Sequence, residues 1–83
     1  MYTVIFEKRA LEELNKLDRQ IKERIWNKIQ DCKEEPFRYL EPLIEIRGFK
    51  LKIGKYRAEI DVDFKEKRLI VLKVGPRKKF YKD

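Results

Sequence analysis

The residues best equipped for chemistry are Lys50, Lys52 and Arg57, followed by Lys73, Arg77 and Tyr81. Each is a cation or a phenol, able to hold phosphate oxygens, move a proton or stack on a base. Their spacing puts the first three together. From Phe49 the pattern has period two, with Phe49, Leu51 and Ile53 on one side and Lys50 and Lys52 on the other. After a tight turn at Gly54 and Lys55, Tyr56, Ala58, Ile60 and Val62 alternate with Arg57, Glu59, Asp61 and Asp63. Two such strands form a hairpin whose open face carries Lys50, Lys52 and Arg57. Lys73 and Arg77 are even-spaced and reach the same side, with Tyr81 swinging in from the tail.

The charge distribution agrees with an anionic partner. Residues 1–46 hold 9 Lys/Arg against 10 Asp/Glu, whereas residues 47–83 hold 13 against 5. Cations placed this close on a sheet repel one another, so their concentration costs stability unless something anionic binds them. A phosphate backbone meets that requirement, and Tyr81 or Phe80 would stack on a base. The plainer alternative is a solvated strand face that keeps a sheet edge from aggregating. Arg47, Lys55, Lys78 and Lys79 join Lys73 as further candidate backbone contacts.

Composition removes other chemistries. With one cysteine, Cys32, and no histidine, neither a zinc site of the usual ligands nor a Ser-His or Cys-His nucleophile can be assembled. Glu59, Asp61 and Asp63 fall on one strand face and would suit Mg²⁺, but salt bridges across the hairpin to Lys50 and Lys52 are the expectation. No metal or cofactor is expected. Cys32 alone makes no internal disulfide, and a cytoplasmic location follows as an expectation.

The remaining elements must position this hairpin. Tyr2 to Phe6 is β-branched and aromatic, a short strand. Ala10, Leu11, Leu14 and Leu17 then recur at helical spacing, and Asp18 caps a second helix striped by Ile21, Ile25, Ile29 and Cys32. Trp26 and Tyr56 are read as packing residues. Pro36 and Pro42 make the segment 34–45 a connecting loop. Lys65 to Lys67 form a polar turn, and the apolar run from Leu69 to Val74 is a strand flanked on both sides, ended by Gly75 and Pro76. The chain of 83 residues supports one domain, spanning 1–83. The expected class is α+β: β-α-α-β-β-β, a small antiparallel sheet with a two-helix hairpin packed on one face.

These residues resemble the RelE/ParE toxin superfamily, and within it the RelE-type messenger RNA interferases. The resemblance covers essentially the whole chain: A-L-x-x-L-x-K-L at Ala10 to Leu17, L-x-x-x-x-G-F-K-L-K-I-G-x-Y-R from Leu43 to Arg57, and V-G-P-R-K-K-F-Y from Val74 to Tyr81. It implies a RelE-like fold that enters the ribosomal A site and cuts messenger RNA by attack of a ribose 2′-hydroxyl on the adjacent phosphate. By the same resemblance Lys50, Lys52, Arg57, Arg77 and Tyr81 are the catalytic set. The position before Arg77, often histidine in relatives, is Pro76 here, which excludes histidine-dependent steps. The resemblance further implies a RelB-like antitoxin as partner, besides the ribosome and messenger. Two other functions fit the same residues: a ParE-like toxin that inhibits DNA gyrase without cutting nucleic acid, and a basic RNA-binding module without catalysis.

Overall fold

The computed structural model describes residues 1–44 and 46–80. Strand β1 (Thr3–Phe6) leads into helix α1 (Lys8–Asn15) and helix α2 (Arg19–Asp31). A 3-10 turn at Pro36–Arg38 and the two-residue strand β2 (Glu41–Pro42) follow, then β3 (Phe49–Ile53), β4 (Tyr56–Asp63) and β5 (Arg68–Pro76), with a last 3-10 turn over Arg77–Phe80.

The helices form where the sequence places them. Asp18 accepts a hydrogen bond from the Gln20 amide at 3.3 Å and so starts α2. Ala10 and Leu14 from α1, Ile25 and Ile29 from α2 and Cys32 at its C-terminal cap are buried against Leu51, Ile53, Ala58, Ile60, Val62, Leu69, Val71 and Val74 of the sheet. Cys32 has no exposed surface, and burial pushes its thiol up to about 11, which makes it a packing group. Trp26 packs only in part: its ring stacks on Phe6 at 5.3 Å while 43% of the residue stays exposed.

The sheet has five strands in the order β1-β5-β4-β3-β2, and it is mixed. β1 runs parallel to β5, with Val4 opposite Leu69 and Phe6 opposite Val71, where an all-antiparallel sheet was expected. The alternation in β1 is indifferent to strand direction; the chain fixes it by returning from the far side of the molecule through two helices and a hairpin. The loop expected over 34–45 also donates a strand, as Glu41 and Pro42 pair with Lys50 and Phe49 at the sheet edge, where a proline without its amide hydrogen is tolerated. β5 likewise runs through Gly75 to Pro76 before it ends.

One irregularity decides which side chains reach the open face. Glu59 pairs with Lys73, but the next residue of β4, Ile60, pairs with Val71, so Leu72 is an extra residue in β5. Because of this bulge Val71 and Val74 both face the helices, although they are three apart, and Lys73 faces away from them.

Candidate functional site

Pairing across the open face sets two rows of side chains. Lys50, Glu59 and Lys73 lie side by side on β3, β4 and β5, and Lys52, Arg57 and Gly75 form the next row. The helices cover the other face, so these residues are held by a rigid, buried sheet while their heads stay accessible.

Two adjoining clefts open on this surface, and Arg57 lines both. The larger, of about 680 Å³, has Lys50, Arg57, Glu59 and Lys73 among its lining, with Leu43, Ile44, Ile46 and Phe80 as apolar members and Glu41 and Pro42 at the β2 edge. Ile44 is 86% and Ile46 62% exposed. The second, of about 590 Å³, is lined by Gly54, Lys55, Arg57, Pro76, Arg77 and Lys78. It carries four cations and no carboxylate, a strongly anion-attracting arrangement. The first mixes cations, two carboxylates and an apolar wall, which suits a group with a flat apolar body and polar edges.

Arg57 is fixed at the junction by its own turn. Its Nη1 donates to the carbonyls of Gly54 and Tyr56, both at 2.8 Å. That turn requires glycine: Gly54 has φ +58°, and a Cβ there would come within 2.7 Å of the Arg24 Nη2 atom. The Nε atom of Arg57 is buried without a hydrogen-bond partner, as is that of Arg68, so the orphaned atom does not by itself mark the site. Arg77 is attached at its backbone, where its amide donates to the Lys55 carbonyl at 2.8 Å, and it is placed beside Arg57 in the second cleft.

The other sequence-derived candidates separate. Lys50 is in the first cleft. Lys52 shares the open face but belongs to neither cleft; its ammonium pairs with Glu41 at 3.5 Å, and it borders a smaller groove against α2 with Arg24 and Lys28. Lys73 moves to the centre, its ammonium 4.5 Å from the centroid of the Phe80 ring and 3.2 Å from the Lys79 carbonyl oxygen. Lys55 and Lys78 line the cationic cleft. Arg47 pairs with Asp61 at 3.7 Å and lines neither cleft, and Lys79 turns to Glu13 at 2.8 Å. Tyr81 lies outside the described residues.

The acids of β4 do not form the expected pairs with Lys50 and Lys52. Asp63 bonds Arg68 at 2.9 Å and accepts from the Lys65 and Glu66 amides. The Glu66 amide, then Arg68, hold its carboxyl below the usual range. Asp61 accepts from the Val62 amide besides its pair with Arg47. Glu59 remains in the cleft. The sequence reading missed Glu59 as a cleft residue and missed the wall of Leu43, Ile44 and Ile46; two isoleucines just after Pro42, outside any expected strand or helix, were the available signal.

Comparison with known proteins bears on the family and the fold. The family model described as ParE toxin of type II toxin-antitoxin system, parDE, matches residues 4–81. No curated protein sequence matches significantly. Among solved structures, the chain is similar to one in the RelBE2 toxin-antitoxin complex from Mycobacterium tuberculosis, with TM-score 0.85, 29% identity, and coverage of 92% of this chain and 98% of that one. It is similar to one in the intact RelBE complex from E. coli, with TM-score 0.79, 26% identity, and coverage of 92% and 96%. For a chain in the archaeal RelE-RelB complex from Pyrococcus horikoshii the fold alone is shared, at TM-score 0.77, 23% identity, and coverage of 92% and 94%.

Proposed function

The chain belongs to the ParE toxin family of type II toxin-antitoxin systems, within the RelE/ParE superfamily, and on that premise we propose that it is a ribosome-dependent endoribonuclease of the RelE type. The observation that carries this reading is the position of Arg57, at the junction of a cleft lined by four cations and a cleft with an apolar wall and polar floor. A ribonucleotide has those two parts: a phosphate for the first and a sugar and base for the second.

In this reading the scissile phosphate sits against Arg57 and Arg77. Lys50 is the group placed to take the proton of the ribose 2′-hydroxyl. The 2′-oxygen forms a bond to phosphorus, the bond from phosphorus to the 5′-oxygen breaks, and a 2′,3′-cyclic phosphate and a 5′-hydroxyl result. The two guanidiniums hold the charge that accumulates on the non-bridging oxygens, where one such donor contributes about 2.7–4 kcal/mol. Tyr81 is assigned from the sequence resemblance to stacking on a base or to delivering the proton that the 5′-oxygen needs. Leu43, Ile44, Ile46 and Phe80 exclude water around the nucleoside.

The relatives in the two RelBE complexes are bound to antitoxins, which supports an antitoxin partner of RelB type for this chain; in this reading its targets are cytoplasmic ribosomes and messenger. The experiment is primer extension on a messenger in a translation extract with the wild type and Arg57→Ala. Ribosome-dependent cuts that vanish in the variant are expected. The family description favours a second reading, a ParE-like inhibitor of DNA gyrase. Intact messenger together with lost supercoiling by purified gyrase would replace the first reading by the second.

A further inference from the structure

β1 stops pairing with β5 at Phe6 and Val71, so the outward amides of β5 beyond that point have no neighbouring strand. Glu13, on α1, takes over at this edge. Its Oε1 accepts the Val74 amide at 2.9 Å, satisfying a donor at the margin of the core. Its Oε2 meets the Lys79 ammonium at 2.8 Å and the Arg9 Nε at 3.1 Å. The side chain is only 13% exposed. The second of these bonds ties the C-terminal segment to the body of the protein.

Four more contacts complete the tie. Lys73 donates to the Lys79 carbonyl, and its ammonium lies over the Phe80 ring. The Arg77 amide bonds the Lys55 carbonyl. The Lys79 stem also runs across Gly75, where a Cβ would come within 2.8 Å of its Cδ. An acidic residue on the first helix, in neither cleft, is thus linked through Lys79 to the segment that carries Arg77 and Phe80.

We propose that Glu13 is a positioning residue, which through Lys79 holds the segment Arg77–Phe80 in place so that Arg77 stands beside Arg57 and Phe80 closes the end of the nucleoside cleft. The consequence for catalysis rests on the ribonuclease reading; the anchoring does not.

Glu13→Gln breaks the strap, together with the exposed Arg9 pair on the same oxygen. A glutamine oxygen still accepts the Val74 amide, but its amide nitrogen cannot accept from Lys79. Lys79→Met removes the same pair from the other side, and Gly75→Ala displaces the lysine stem without touching either charge. Amide exchange by NMR reads the anchoring directly. In all three variants the Arg77 amide exchanges roughly tenfold faster, the loss expected for a charge-assisted bond that is partly exposed. The Ile60 amide, in the core, is unchanged and reports that the fold is intact. Glu13→Gln combined with Lys79→Met adds nothing to either alone. Single-turnover cleavage in the translation extract falls by roughly 10- to 100-fold in the same variants, as misplaced catalytic groups do.

An unchanged Arg77 exchange rate in Glu13→Gln overturns the proposal whatever happens to activity. Faster exchange with full cleavage overturns the positioning role. If the wild type cuts no messenger, the ribonuclease reading fails on its own, and exchange still decides whether Glu13 holds the segment.

Discussion

At the scale of single residues, two lysines of the same strand face have different surroundings. Lys50 sits in the cleft beside Glu59, whereas Lys52 is paired with Glu41 and borders a groove on the α2 side. Period two treats them alike, because alternation fixes a face and says nothing of position along it. The expected outcome is a split: Lys50→Ala lowers cleavage by roughly 100-fold or more, while Lys52→Ala lowers it less than about tenfold, the scale of an exposed ion pair. Single-turnover rates on one messenger check both, and equal losses would return Lys52 to the catalytic set. Lys73 moved the other way, from a backbone contact in the sequence reading to the floor of the cleft.

At the scale of elements, the bulge in β5 and the end of β1 shape the site. Leu69 to Val74 reads as a nearly continuous apolar run in which no residue announces an insertion, so the inward position of both Val71 and Val74 follows only from pairing with β4. The end of β1 leaves the Val74 amide to Glu13, and this sets a pH dependence. Burial alone would raise the Glu13 carboxyl, but Lys79, the Val74 amide and Arg9 together outweigh it and hold the pKa below the ordinary value of 4.5. A carboxylate lowered by folding contributes stability that is fully present above the ordinary value and is lost as pH falls through the lowered one. Urea unfolding between pH 7 and pH 3 is therefore expected to show a shallower acid loss for Glu13→Gln than for the wild type. Parallel curves would remove Glu13 from the acid response.

At the scale of the whole molecule, a net charge of +7 is arranged so that one face of the sheet presents the cations and the other packs on the helices. Six cations line the two clefts: Lys50, Lys55, Arg57, Lys73, Arg77 and Lys78. If about five of them neutralise phosphates, the logarithm of the affinity for single-stranded RNA falls with that of the salt concentration with a slope of roughly −3 to −4. A titration with an RNA carrying a 2′-deoxy substitution at the cut site, which prevents cleavage, measures this slope. A slope near zero would remove phosphate contacts as the basis of binding.

What the sequence alone determined is local. Alternation placed Lys50, Lys52 and Arg57 on one face, the Asp18 cap and apolar stripes gave both helices, and the order of turns gave the hairpin, because each depends on residues a few positions apart. The motif spacing up to Tyr81 also carried the family. Only the tertiary structure decided the rest: the parallel pairing of the first and last strands, the meeting of Leu43, Ile44 and Ile46 with Phe80 around the larger cleft, and the link from Glu13 to Lys79. These contacts join residues far apart in the chain, where no periodicity reaches and where the closing of the sheet sets the partners.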